Sequence, residues 1–312
     1  MHPDLPPTAD CWFLSGPTAS GKSGLAIDLA RRLNAEIISM DSMALYRHMN
    51  IGTAKPTRND RLDVPHHLID VIEPDEEYSV AQYVEAAERA VSDIAARGRT
   101  PLFVGGTPLY LKALLRGIFS GPPADWPLRR QLLHVAESEG KDRLHARLAE
   151  IDPQAAEKLH PSDLRRVIRA IEVFEKTGRT ISEHQKHFDR GRPAGACRAF
   201  VLDWPREELY RRIDQRVDAM FDAGLVNETQ GLLRMSRPPG RTASQAVGYR
   251  EVIDHLHGKC DLPTAIADVK KHTRQFSKRQ MTWFRSLSEV RWVPMSEKRS
   301  RDDVTQEIAA VQ

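Results

Sequence analysis

The sequence predicts an α/β fold in which a parallel sheet core carries a helical insertion. Three observations carry that reading. A complete G-x-x-x-x-G-K-[ST] phosphate loop, Gly16-Pro17-Thr18-Ala19-Ser20-Gly21-Lys22-Ser23, stands between a short apolar run and a helical pattern. Further apolar runs of strand length alternate with helical patterns along the chain. One stretch, 119–196, breaks the alternation and holds helical patterns only.

Taken in order, Cys11-Trp12-Phe13-Leu14 reads as a buried strand, and Leu25, Ala26, Leu29, Ala30 and Leu33 recur at helical spacing after the lysine. Strand, loop, helix is the order the motif requires, so the core is P-loop NTPase-like. Glu36 to Met40 is the next strand candidate, and Asp41 follows it directly. Val80 to Ala96 reads as a helix, then Pro101 to Val104 as a strand running into Gly105-Gly106-Thr107. A Pro/Gly-rich entry, Gly121 to Pro127, opens the insertion, and Gly191-Arg192-Pro193-Ala194-Gly195 closes it. Beyond it, Ala199 to Leu202 and Val290 to Val293 are strand candidates, and Arg206 to Phe221 and Pro263 to Leu287 are helices. The charged stretch from Ser296 predicts a frayed tail. Residues 1–118 and 197–312 thus form the core and 119–196 the insertion.

Bulk properties narrow the class. Of 312 residues, 40% are hydrophobic and 29% charged, which suits a globular protein in water. No run of about 18 apolar residues exists, which excludes a membrane helix. Met1 to Asp10 lacks a basic-then-apolar signal pattern, so the expected compartment is the cytoplasm. Cys11, Cys197 and Cys260 stand far apart and support neither a zinc knuckle nor a disulfide framework. Nothing calls for more than a monomer. The net charge of +3 is too small to diagnose a nucleic-acid partner, so its distribution matters more.

The loop amides and Lys22 can cradle a diphosphate. Asp41, at a strand end beside that loop, can take a proton from a nucleophile or hold a magnesium ion; equally, it can cap a helix. Gly105-Gly106-Thr107 occupies the place where a Walker-B acid would stand, which weakens an ATPase reading, although a Gly-Gly pair after a strand is first of all a turn. His66 and His67 are adjacent, and neighbours rarely ligate one metal together, so packing or hydrogen bonding is the better reading. Arg165, Arg166 and Arg169 share one side of a helix opposite Leu164, Val167, Ile168 and Ile171. In the C-terminal helix Lys271, Arg274, Lys278 and Arg285 form a basic stripe, with Gln275 beside it, opposite Ile266, Val269, Phe276, Trp283, Phe284 and Leu287. That stripe faces either a polyanion or solvent.

These motifs, in order with Tyr46-Arg47, Ile51-Gly52-Thr53-Ala54-Lys55-Pro56, Pro65 to Asp70, Leu109-Tyr110, Val247 to Glu251, and Arg274-Gln275 with Lys278-Arg279-Gln280 and Thr282-Trp283, resemble the bacterial tRNA dimethylallyltransferase family from about residue 11 to 293. The resemblance implies transfer of a dimethylallyl group from dimethylallyl diphosphate to N6 of adenosine 37, in the anticodon stem-loop of tRNAs reading codons that start with U. It makes Asp41 the catalytic aspartate and gives the leaving diphosphate to Lys22, Thr18, the loop amides and Mg²⁺, with Ser23 contacting the ion and Arg129 in support. It assigns tRNA contacts to Asp41, Ser42, Met43, Ala44, Thr107, Arg129, Arg165, Arg166, Arg169, Gln245, Ala246, Val247, Gly248, Tyr249, Arg250, Arg274, Gln275, Lys278, Arg279 and Gln280. Pro108 departs from the family's usual glycine and should stiffen its loop, and Gln230 stands where relatives often carry Arg. A small-molecule kinase using ATP at the same loop is the alternative; it leaves the basic stripe unused.

Overall fold

The computed structural model describes residues 6–185, 188 and 191–311. Part of the Met1 to Asp10 stretch read for an export signal lies outside the described residues. The chain divides into two compact units, Met1–Leu115 with Gly191–Gln312, and Arg116–Arg190.

In the first unit the chain runs through β1 (Trp12–Ser15), α1 (Lys22–Leu33), β2 (Ala35–Ser39), α2 (Arg58–Asp63), β3 (His66–His67), α3 (Val80–Ala96), β4 (Thr100–Gly105) and α4 (Pro108–Arg116). The second unit holds α5 (Trp126–Ser138), α6 (Lys141–Ile151), α7 (Pro153–Lys158), α8 (Leu164–Thr177) and α9 (Ile181–His184). The first then resumes with β5 (Arg198–Asp203), α10 (Arg206–Asp222), α11 (Leu225–Leu233), α12 (Arg241–Ser244), α13 (Tyr249–Leu256), α14 (Leu262–Arg285), β6 (Arg291–Pro294) and α15 (Arg301–Ala309).

The six strands form one sheet in the order β3-β2-β4-β1-β5-β6, and every pair is parallel. Alternation sends Trp12, Leu14, Ile37, Leu102, Phe200 and Leu202 to one face, where they pack with Leu25, Leu29, Val304 and Ile308 of α1 and α15. Phe13 and Phe103, their in-register neighbours, stack 5.0 Å apart on the other. Parallel strands covered on both faces read as continuous apolar runs, which is why five of the six were visible in the sequence.

Two elements depart from expectation. His66 and His67 form a strand, pairing with Ile37 and Ile38; two residues are too few to show a period. Beyond Ser296 the chain does not fray: Ser300 caps α15 by accepting from the Asp303 amide, and Val304, Thr305 and Ile308 are buried. Within the second unit Leu132, Leu144, Leu148, Val167, Ile168 and Ile171 form a core of their own.

Candidate phosphate-loop active site

The carboxyl ends of β1, β2 and β4 are neighbours in the sheet, where ligands of parallel α/β proteins gather. They bring together the phosphate loop, Asp41 and Gly105-Gly106-Thr107. The loop follows β1 and turns through left-handed Ala19 and Gly21 into α1. It is clamped from outside. The Trp204 indole donates to the Ser20 carbonyl at 2.9 Å, and Arg212 Nε donates to the Ala19 carbonyl at 2.9 Å while its guanidinium lies 4.3 Å over the Trp204 ring. Neither residue was marked by the sequence, though Trp204 directly follows β5.

Lys22 Nζ donates to the Gly16 and Pro17 carbonyls at 2.9 and 2.8 Å. Burial holds this amine down to about 7, the Arg216 charge acts in the same direction, and Asp41 opposes both. Arg216, from α10, is a second cation that the sequence reading missed. Burial pushes its guanidinium down as well, against Asp41, and among the described residues no hydrogen bond or ion pair engages it. Two desolvated cations, whose charges both act with that of Asp41, suit an anionic ligand.

Asp41 caps no helix. Its Oδ1 accepts from the Met43 amide at 2.8 Å, closing a turn, and residues 42–45 continue as turn. The Ser42 amide donates to Thr107 Oγ1 at 3.0 Å, so Thr107 fixes the turn that aims Asp41. The Gly-Gly pair is more than a turn. A Cβ on Gly105 would lie 2.0 Å from the Met40 carbonyl oxygen, and one on Gly106 would lie 2.7 Å from Gln280 Nε2. Pro108 is the first residue of α4, a position proline favours.

Several residues assigned to RNA turn out to hold the site together. Gln280, 4% exposed, accepts from the Thr18 amide at 3.0 Å and donates to the Gly106 carbonyl at 2.6 Å, so one loop amide is already committed. Tyr249, 1% exposed, donates its hydroxyl to Glu228. The Ala44, Ala246 and Gly248 side positions are buried too. Arg250 is held by Glu251 and His272, and Arg274 by Asp214 at 3.0 Å. What α14 offers outward is Lys271, Gln275, Lys278, Arg279 and Arg285; Val247 is half-buried and Gln245 exposed. Phe276, expected on the anchored side, is exposed under the Arg279 guanidinium, while Ser277 and Gln280 occupy the buried face, where Gln280 reaches the loop.

In the second unit Glu172 is fully buried and accepts from Arg129 twice at 2.8 Å, from Arg169 at 2.5 Å and from the Asp125 amide at 2.7 Å. Arg129 and Arg169 are therefore members of a structural ion cluster, whereas Arg165 and Arg166 are exposed. The histidine pair follows its hydrogen-bonding reading: His67 Nε2 is 2.7 Å from Glu36 and His66 Nδ1 is 2.7 Å from the Val64 carbonyl.

Among the described residues no group of three His, Cys, Asp or Glu side chains could hold a metal. The donor set fits magnesium in another way, since that ion keeps several waters and binds through phosphates and one or two protein oxygens. Ser23, exposed in the first turn of α1, offers such an oxygen.

Comparison with known proteins gives the family. The chain matches the IPP transferase family over residues 44–287 and the isopentenyl transferase family over residues 9–69. It is 47% identical to tRNA dimethylallyltransferase 1 of Trichlorobacter lovleyi over 91% of this chain and 93% of that one, and 47% identical to tRNA dimethylallyltransferase of Thermotoga petrophila over 90% of each. Among solved structures it resembles the tRNA isopentenylpyrophosphate transferase of Bacillus halodurans, with a TM-score of 0.69 and 38% identity over 96% of this chain and 94% of that one. A eukaryotic dimethylallyltransferase acting on tRNA superposes with a TM-score of 0.78 at 29% identity, covering 96% and 77%. With a phosphate loop but no acid at the end of β4, and alike over nine-tenths of its length to these transferases, the chain belongs to the IPP transferase family.

Proposed function

We propose that the chain transfers a dimethylallyl group from dimethylallyl diphosphate to N6 of adenosine 37 in the anticodon stem-loop of tRNAs that read codons starting with U, working as a monomer in the cytoplasm. The observation that carries the reading is the pair of desolvated cations, Lys22 and Arg216, beside Asp41. An exocyclic amine is a poor nucleophile because its lone pair is delocalised into the ring. Asp41 takes its proton as N6 attacks the allylic carbon. The carbon–oxygen bond breaks, and the diphosphate leaves onto Lys22, Arg216 and the loop amides. Ser23 would hold a magnesium ion, which would add charge neutralisation for the leaving diphosphate. The target base must leave its stack to reach a carboxylate at a strand end, and the exposed cations of α14, with Arg165 and Arg166, suit the RNA backbone.

The test is direct. Labelled dimethylallyl diphosphate and unmodified tRNA are incubated with the protein, and the digested RNA is searched for N6-alkylated adenosine. Unlabelled RNA, together with label passing from γ-labelled ATP to a small acceptor, would replace the transferase reading with a kinase.

A further inference from the structure

Phe276 leaves its ring 39% exposed, although the buried face of α14 runs beside it through Ser277 and Gln280. Its surroundings are cationic. The Arg279 guanidinium lies 6.0 Å from the ring centroid, and among the described residues Arg279 has no ion-pair partner. His272 stands four residues before the ring and Gln280 four residues after it, a spacing that puts Cβ atoms about 5–6 Å apart on a helix. Arg250, with its side chain 38% exposed, reaches His272 Nδ1 at 3.0 Å. The nearest carboxylate, Glu251, is buried and committed to Arg250, His272 and the Gly248 amide. An open aromatic face thus stands between two guanidinium groups. Lys271, Lys278 and Arg285 lie on the opposite side of the helix, so the ring is not part of their stripe.

The Phe276 side of α14 leads into the reacting centre. Gln280, one turn on, donates to the Gly106 carbonyl at 2.6 Å and accepts from the Thr18 amide at 3.0 Å. A Cβ on Gly106 would lie 3.7 Å from Lys22 Nζ. A base drawn out of its stack leaves its neighbour with an uncovered face. Aromatic rings cover such faces, and guanidinium groups beside them suit the flanking phosphates.

We propose that Phe276 is the stacking platform for the unpaired anticodon-loop base next to the target adenosine, with Arg279 and Arg250 on the phosphates at either side. The proposal rests on the transferase reading above and adds to it a residue that favours a single-stranded loop, since a duplex has no free base face to offer.

The experiment measures binding of the full chain to a fluorescently labelled, unmodified anticodon stem-loop RNA by anisotropy. Phe276→Ala and Phe276→Leu should each weaken binding about five- to a hundredfold, and Phe276→Tyr should stay within about twofold of the original chain. The slope of log affinity against log salt should not change, because no charge is removed. Replacing the nucleotide on one side of the target adenosine by an abasic residue should cost the original chain as much as Phe276→Ala does, and should cost the Phe276→Ala protein almost nothing more. The proposal is overturned if Phe276→Ala binds the stem-loop like the original chain, or if the variant and abasic losses simply add at both flanking positions. If the coupling is found but dimethylallyl diphosphate yields no N6-alkylated adenosine, the transferase reading falls and the platform stands. If the original chain binds no stem-loop, both fall.

Discussion

Asp41 and Lys22 make opposite demands on a substitution. Asp41→Asn keeps the shape of the turn but removes the base, so turnover should drop about 10²–10⁴-fold while tRNA affinity stays within a few-fold. Equal losses in single-turnover rate and in tRNA binding would reduce Asp41 to a contact. Lys22 titrates near neutrality because burial and the Arg216 charge hold it down to about 7, and a bound diphosphate favours the ammonium form. Below pH 7 the amine is already charged and diphosphate affinity should be flat. As pH rises through 7, each ligand must bring a proton with it, and affinity should fall by up to about tenfold per pH unit. Calorimetry in buffers of different ionisation heat measures that uptake, with Lys22→Met as the baseline for the ligand's own titration. Identical proton uptake in the two proteins would contradict the assignment. Arg216 could not be read from the sequence because nothing local distinguishes it from Arg206, Arg211 and Arg212 on the same helix; only burial does.

At the scale of elements, α14 performs two tasks on two faces. Its buried face reaches the phosphate loop through Gln280, and its outer face carries Lys271, Lys278, Arg279 and Arg285. Replacing Lys271, Lys278 and Arg279 with Gln should weaken tRNA binding and reduce the slope of log affinity against log salt by up to about 2 units. An unchanged slope, read by filter binding from 50 to 200 mM salt, would make the face merely solvated. The periodicity of α14 was legible, but its rotation was not: a helical wheel assigns faces by hydropathy, and here a glutamine is buried for its hydrogen bonds while Phe276 is left outside. The same limit applies to Tyr249, whose ring supports the Asn50-to-Gly52 loop and which sequence matching alone assigned to RNA.

For the whole molecule, the parallel sheet and the all-helical insertion were legible because buried strands are apolar throughout and a Pro/Gly-rich segment interrupts their alternation. Strand β3 and helix α15 were not, since one is two residues long and the other hides three buried side chains in a charged stretch. In the second unit the Glu172 cluster replaces what the sequence presented as separate arginines. Glu172→Gln should cost that unit about 2–4 kcal/mol, because Arg129 and Arg169 lose their buried partner. Hydrogen exchange should then quicken across residues 116–190 and leave the sheet unchanged; uniform quickening would deny the unit its own core. The contact between Gly105 and the Met40 carbonyl also limits which chemistry the end of β4 can host. With the Met40 backbone, just past β2, filling the space where an aspartate would project, no single substitution at position 105 can install a hydrolytic acid at the end of β4. An acid there would require the backbone just past β2 to move away from the end of β4, so the obstacle is the backbone and not the choice of one side chain.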